Sequence, residues 1–507
     1  MRVPLTPLDF LERARRLFGP LDAVVDGEMR LTYAELADRA HRLAYAVRAV
    51  GCRPGDRVAW LGGNTHELLE AYYGVVLAGC VLTPLNVRLA PPELQFILDD
   101  CEAALLVAHP AFATVADALM SAGRLDIGDD YERVLAAAPA APFDAGEIDE
   151  DAVCELFYTS GTTGDPKGAM LTHRALATHA VDSALTNGLT HRDVVLHTIP
   201  LFHVNGWGTP HYVTALGARH VMLERFDAAE VLRLVERERV TRLFLVPTMA
   251  TALLEHPAIA TTNASSLTQV SIGGAPSSPD LLRRLEGALG CDVICGYGLT
   301  EASPTLTRSI PTRAADGRSV EAQRAIRATT GLPIIGVDAR VVADDGAEVP
   351  WDGATVGEIW ARSNHVMAGY WKRPDESALA LADGWLHTGD LATVDAEGYV
   401  TIVDRRKDVI VSGGENISSV QVEHALCAHP AVLEASVVAM PDERWGEVPR
   451  AFVALRPGCD ADEHELIDWV RGRLAHFKAP KRVHILAELP KSGTGKIQKT
   501  RLRKDNQ

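Results

Sequence analysis

Two stretches of this chain, residues 31–108 and 192–300, alternate between amphipathic segments with helical spacing and short apolar runs. That alternation constrains the fold more than any other feature. LTYAELADRAHRLAYAVRAV (31–50) carries apolar residues on one helical face, and Thr32 followed by Glu35 makes a capping box at its start. GCRPGDRVAWLGGN then reads as a turn and a short strand. A helix over 66–78, a strand near 81–85, a helix over 91–100 and a strand over 104–108 follow. The second stretch predicts strands near 194–198, 220–223, 243–246 and 293–295. Such alternation builds a parallel sheet covered by helices. With 507 residues the chain exceeds what one hydrophobic core holds, so two or more domains are expected. Residues 331–403 change character to short antiparallel strands joined by Asp-Gly turns, and the Ala/Pro/Asp-rich stretch 135–150 reads as a loop. After DRRKD (404–408) a new alternating unit begins.

The net charge of −17 argues against nucleic-acid or anionic-membrane binding. The longest apolar run, near Tyr72–Leu85, is too short to span a bilayer, and the charged N-terminus lacks a signal-peptide core. Eight scattered cysteines fit reduced thiols and a cytoplasmic protein, with CDVIC (291–295) read as a buried strand rather than a metal clip. Against the acidic background, residues 478–507 carry nine Lys/Arg and only Glu488 and Asp505. A basic tail of this kind is either a solvated end or a lid for phosphates.

LFYTSGTTGDPKGAM (156–170) suits a polyphosphate. Gly161, Gly164 and Gly168 allow clustered backbone N–H groups to approach an anion, Thr159, Ser160, Thr162 and Thr163 add hydroxyls, and Lys167 adds charge. No Walker spacing is present. Further on come GGAP with Gly274, Ala275 and Pro276, then GYGLTE (296–301). In the latter, Gly296 and Gly298 clear space around Tyr297, which is shaped to stack on a purine. Thr300 is a phosphate donor, and Glu301 offers Mg²⁺ a hard oxygen ligand. In HTGD, Asp390 is placed to accept from a ribose diol, and in DRRKD Arg405 holds ribose or phosphate. Lys496 lies in PKSGTGKIQK (490–499), where an ammonium would stabilise charge developing on a carboxylate and an α-phosphate.

In this order the motifs resemble the adenylate-forming superfamily over roughly residues 20–503, and within it the medium- and long-chain fatty-acyl-CoA synthetases. The resemblance implies an α/β fold: a large N-terminal domain of parallel sheets with a small β-barrel-like subdomain (1–403), a hinge (404–407) and a small mobile α+β C-terminal domain (408–507). It implies ATP, Mg²⁺ held by Glu301 and Thr159, an acyl-adenylate intermediate, and transfer to CoA. Lys496 and His203 are the implied catalytic residues and Lys407 the hinge residue. Ser412, Gly413 and Gly414 line a pantetheine tunnel after the C-terminal domain rotates. IPLFHVNGWG (199–208) falls at the acyl pocket, with His203, Gly206, Trp207 and Gly298. His203 contacts the carboxylate or gates the tunnel; Trp207 plugs an apolar tunnel or is plain core. No acidic residue stands between 199 and 215 to pair with an α-amino group. The resemblance to fatty-acyl-CoA synthetases implies a small-molecule substrate that is an unbranched or simple aliphatic acid of about six to sixteen carbons, in keeping with a largely apolar pocket. Free CoA and the phosphopantetheine of an acyl carrier protein present the same arm, so both acceptors remain open, as does a homodimer. A nucleotide-binding protein without turnover fits less well, because Thr300, Glu301, Asp390 and Lys496 are all present.

Overall fold

The computed structural model describes residues 1–159, 165–492 and 496–504. Two helix-covered sheets dominate the first 400 residues. The seven-stranded sheet runs Gly369–Tyr370, Lys167–Thr172, Val153–Thr159, Val81–Pro84, Arg57–Leu61, Ala103–Ala108, Arg124–Asp126. The nine-stranded sheet has a parallel centre, Asp292–Gly298, Gln269–Ile272, Arg242–Leu245, Val194–Leu196, Arg219–Val221 and Asp22–Asp26. Its edges are antiparallel. The sequence-predicted alternation is therefore present. The capping box is also formed, Thr32 accepting from the N–H of Glu35 at the start of the helix Tyr33–Ala49.

Val337–Val342, Gly357–Ser363, Leu386–Val394 and Val400–Arg405 form a four-stranded antiparallel sheet. Beyond it, Val432–Asp442 and Gly446–Leu455 pair in a separate sheet packed on the helices Ser419–Cys427 and Glu463–Arg471. All eight cysteines are free thiols, and no helix among the described residues is long and apolar enough to cross a membrane.

Two features depart from the sequence reading. The strand expected near 293–295 does not stop there: it continues through Gly298 and pairs with Thr305–Arg308, so the GYG motif is flanked on its open side. The second departure is the start of the helix Val204–Leu216. Val204, Asn205, Gly206, Trp207 and Gly208 all have positive φ, between 36° and 84°. Left-handed backbone is costly for residues with a Cβ, about 1–2 kcal/mol each. Glycine is required at two of these positions for a second reason. A Cβ on Gly206 would meet Leu201 at 2.7 Å, and one on Gly208 would meet the His179 ring at 2.5 Å.

A buried polar anchor holds this turn. Glu155, on the strand Val153–Thr159, accepts from Asn205 Nδ2 at 2.9 Å and contacts His211 Nε2 at 2.6 Å, and all three side chains are at most 1% exposed. The anchor ties the seven-stranded sheet to the strained turn. Glu155→Ala should destabilise the protein by about 3 kcal/mol, because it strands two buried partners. A urea midpoint unchanged from the parent would show that the turn does not depend on this anchor.

Candidate active site

The cleft between the nine-stranded sheet, the four-stranded sheet and the C-terminal unit collects the charged motif residues. Asp390, only 7% exposed, accepts from the Tyr297 hydroxyl at 2.7 Å and pairs with Arg405 at 3.3 Å. Asp390 and Arg405 lie on adjacent strands in register, which is why two motifs separated in sequence meet. Lys496 reaches into the same cleft. Its Cε lies 3.2 Å from where a Cβ on Gly274 would stand, so glycine there clears the lysine's path. Burial and then Arg405 push the Lys496 ammonium down to about 8, against the opposing pull of Asp390 and Glu301. Arg88 also donates to the carbonyl of Ser492 at 3.5 Å, while Lys491, Lys499 and Arg503 of the same basic segment pair with Glu434, Glu423 and Asp408.

His203 stands just before the left-handed turn. Burial and the nearby Lys496 push its imidazolium down to about 3, so the ring is neutral at physiological pH. Trp207 continues the turn. Its indole lies against Gly273, where a Cβ would meet it at 2.9 Å, and edge-on to Phe244 at 6.2 Å between ring centroids. The glycines of GYG serve a different purpose from the one expected. A Cβ on Gly298 would lie 2.0 Å from the Pro304 carbonyl oxygen, and one on Gly296 would lie 3.0 Å from Arg308 Cδ. The space beside Tyr297 is taken by the neighbouring strand, and Tyr297 itself packs with Ala302 and Leu306 while its hydroxyl anchors Asp390.

Glu301 is held from behind: its Oε1 accepts from the Tyr370 hydroxyl at 2.7 Å. Among the described residues it forms no ion pair, so a carboxylate oxygen is available to a hard cation. Thr300 is buried beside it, and the Thr159 hydroxyl donates weakly to the Lys167 carbonyl at 3.4 Å. Lys167 is ion-paired with Glu376 and lies 5.5 Å from the Tyr370 ring centroid. Ala275 and Pro276 are exposed on the rim next to Gly274. Ser160, Gly161, Thr162, Thr163 and Gly164 lie outside the described residues.

The structure does not bring every candidate together. Gly413 and Gly414 are exposed on the hairpin that joins Ile410–Ser412 to Glu415–Ile417, and Trp445 packs where a Cβ on Gly413 would stand. Lys496, not this hairpin, contacts Gly274. Lys407 sits in the turn between Val400–Arg405 and Ile410–Ser412. Its neighbour Arg406 binds Asp344 and Glu358 at 2.9 and 3.3 Å, and Asp408 on the other side binds Arg503 at 2.7 Å. Lys407 itself forms no ion pair or hydrogen bond among the described residues and stands between these two anchors, although Val403 and Asp404 before it also accept from Ser418 and Ser419 at 2.6 Å. Sequence reasoning missed Tyr370 and Glu155, which act from other strands and carry no local motif. It could have found the left-handed turn, since Asn-Gly-Trp-Gly contains residues that tolerate positive φ.

The depressed Lys496 ammonium is directly measurable. After isotope-labelled reductive methylation, NMR should show one dimethyl-lysine signal titrating near 8 that is missing from Lys496→Arg. A signal titrating in the ordinary lysine range would move the side chain out of the cleft and into water.

Residues 11–371 match the model of the AMP-binding enzyme family, and residues 421–496 match that of the AMP-binding enzyme C-terminal domain. The chain is 41% identical over 500 residues to a feruloyl-CoA synthase of Amycolatopsis, covering 97% of both chains. It is 38% identical over 513 residues to a long-chain-fatty-acid–CoA ligase of Thermus thermophilus, covering 98% of this chain and 94% of that one. The crystal structure of the anthranilate CoA ligase AuaEII with anthranoyl-AMP superposes with a TM-score of 0.91 at 28% identity, covering 100% of this chain and 98% of that one. The chain belongs to the AMP-binding enzyme family and is an adenylate-forming ligase.

Proposed function

We propose that this ligase activates a carboxylic acid with an apolar body as its acyl-adenylate and then transfers the acyl group to the thiol of CoA. The observation that carries the reading is Lys496 in one cleft with Asp390, Arg405, Glu301 and the neutral His203. In the first step a carboxylate oxygen attacks the α-phosphorus of ATP, the bond to the bridging oxygen breaks, and pyrophosphate leaves. The Lys496 ammonium neutralises charge on the carboxylate and α-phosphate oxygens. Asp390 takes the ribose hydroxyls, and Arg405 adds positive charge at the same edge. His203, being neutral, hydrogen-bonds the acid without competing with Lys496 as a cation. Glu301 and Thr159 fit Mg²⁺ by donor chemistry, because both offer oxygen and the carboxylate is already oriented by Tyr370. When bound, the metal would neutralise charge on the polyphosphate.

In the second step the thiol sulfur attacks the acyl carbon, the carbon–oxygen bond to phosphate breaks, and AMP leaves. This step needs Lys496 withdrawn and the hairpin of Ser412, Gly413 and Gly414 brought in. Rotation about Lys407 is supported by the split anchoring of Arg406 and Asp408. An acyl carrier protein is the alternative owner of the thiol. The free cysteines support a reducing compartment such as the cytoplasm.

For the acid, Trp207 and Phe244 supply an apolar wall. That wall, together with the relative from Thermus thermophilus named for long-chain fatty acids, supports the medium- or long-chain fatty acid expected from the sequence. A more compact acid is favoured by a specific observation, the Trp207 indole packed directly against Gly273 beyond the strand Gln269–Ile272. Pyrophosphate release over a panel of acids, with CoA and a carrier protein as alternative acceptors, tests the reading. No release with any acid would refute it.

Two variants separate the half-reactions. Lys496→Ala should slow adenylation by roughly 10²–10³-fold while leaving thioester formation from supplied acyl-adenylate intact. Lys407→Pro should do the reverse, since proline fixes φ and restricts the residue before it. Equal loss of both half-reactions in either variant would contradict a cleft that changes occupants between steps.

A further inference from the structure

Arg308 is more buried than any other arginine or lysine among the described residues, at 5% exposed. It is also the buried arginine without a carboxylate. Arg39 pairs with Glu70 and Glu132, Arg242 with Asp193, and Arg324 and Arg327 with Glu286. The Arg308 guanidinium donates one hydrogen bond among the described residues, from Nη2 to Ser271 Oγ at 2.7 Å, and its buried Nε–H has no partner. Burial lowers its pKa to about 10, with only the Tyr212 hydroxyl and the Cys295 thiol pulling the other way, so it remains a cation at neutral pH. A cation buried without a counter-ion is strongly unfavourable unless something supplies the missing charge.

The position of this guanidinium points to what supplies it. Arg308 stands opposite Gly296 in the register between Asp292–Gly298 and Thr305–Arg308, and its Cδ and Nη1 fill the space in front of that glycine. Its partner Ser271 is two residues before Gly273, so both face the same side of the nine-stranded sheet. The Trp207 indole lies against Gly273 on that side. Tyr212, close enough to influence the guanidinium, comes from the same helix as Trp207. Arg308 therefore lies beneath the wall assigned to the acyl pocket, deeper along the strand than Gly298. Gly296 lies two residue steps along the strand from Gly298, a distance of about 7 Å. That is the length of a short chain, not of a long alkyl tail.

We propose that Arg308 is a specificity-determining residue that receives a second carboxylate at the far end of the substrate, so that the preferred acid is a short dicarboxylic acid activated at its near end. This rests on the reading of the chain as an acyl-activating ligase. The distal carboxylate takes the unpartnered Nε–H and a terminal N–H, Ser271 holds the guanidinium in plane, and the near carboxylate is left at Lys496 and His203. Glycine at 296 is then required because any side chain there would displace the guanidinium.

The test measures pyrophosphate release by the full-length enzyme with ATP and three series of acids of matched length: α,ω-dicarboxylic, monocarboxylic and ω-hydroxy. The dicarboxylic series should give the highest kcat/KM, with an optimum among the short members. Arg308→Met, which keeps the apolar stem and removes the charge, should raise the dicarboxylate KM by roughly 30-fold or more and reverse the preference toward the monocarboxylic acid. Arg308→Lys should recover part of the loss. Ser271→Ala, a milder change for the case in which Arg308→Met fails to fold, should raise the dicarboxylate KM with little effect on monocarboxylate turnover. A monocarboxylic preference in the parent enzyme, or a dicarboxylic preference that survives loss of the arginine or stays unchanged in Ser271→Ala, overturns the assignment. Either result still leaves an active ligase, whereas silence with every acid refutes the ligase reading itself.

Discussion

The site depends on one carboxylate. Asp390 is 7% exposed and is held on one side by Tyr297 from the nine-stranded sheet and on the other by Arg405 from the adjoining strand of its own sheet. A buried charge needs such partners, because few waters can solvate it. With Asp390 in place, positive charge can gather in the cleft at lower cost. Arg405 and Lys496 repel each other, yet both lie within reach of Asp390, with Glu301 adding to its pull on Lys496. The resulting ammonium is depressed by burial and by Arg405, with Asp390 and Glu301 opposing the shift.

The acyl side of the cleft is built on strain rather than charge. Residues 204–208 follow a left-handed path that only glycine adopts freely, and the path places His203 and Trp207 at the edge of the nine-stranded sheet. Glu155 holds the turn through Asn205 and packs its carboxylate against His211. Strain concentrated where ligands are positioned is a common property of binding sites. The Arg308 cation, with its Nε–H unpartnered, is a second cost on the same face of the sheet.

The alternating pattern of strands and helices, the capped helix starts and the ordered glycine-rich motifs were all legible in the residues, because they rest on local backbone preference and hydrophobic periodicity. Thr32 and Glu35 need only the first turn of a helix to meet, and they do meet. The conjunction of Asp390 with Arg405 was also legible in outline, since both stand in recognisable short motifs. Harder to read was what each glycine was for. Gly296 and Gly298 look like clearance for a ligand, but the space they leave is filled by Arg308 and Pro304 from the strand that pairs alongside.

The sequence by itself determined the family and the sheet-and-helix architecture, because these rest on short contiguous motifs and on the periodicity of neighbouring residues in the chain. The tertiary structure alone decided which groups are buried without a partner, which face of the sheet the left-handed turn covers, and that Lys496 rather than the 412–414 hairpin occupies the cleft. Those facts depend on pairings across large sequence separations: Glu155 with Asn205, Ser271 with Arg308, Gly274 with Lys496. Burial and charge pairing are properties of the assembled space, and no local spacing of residues encodes them.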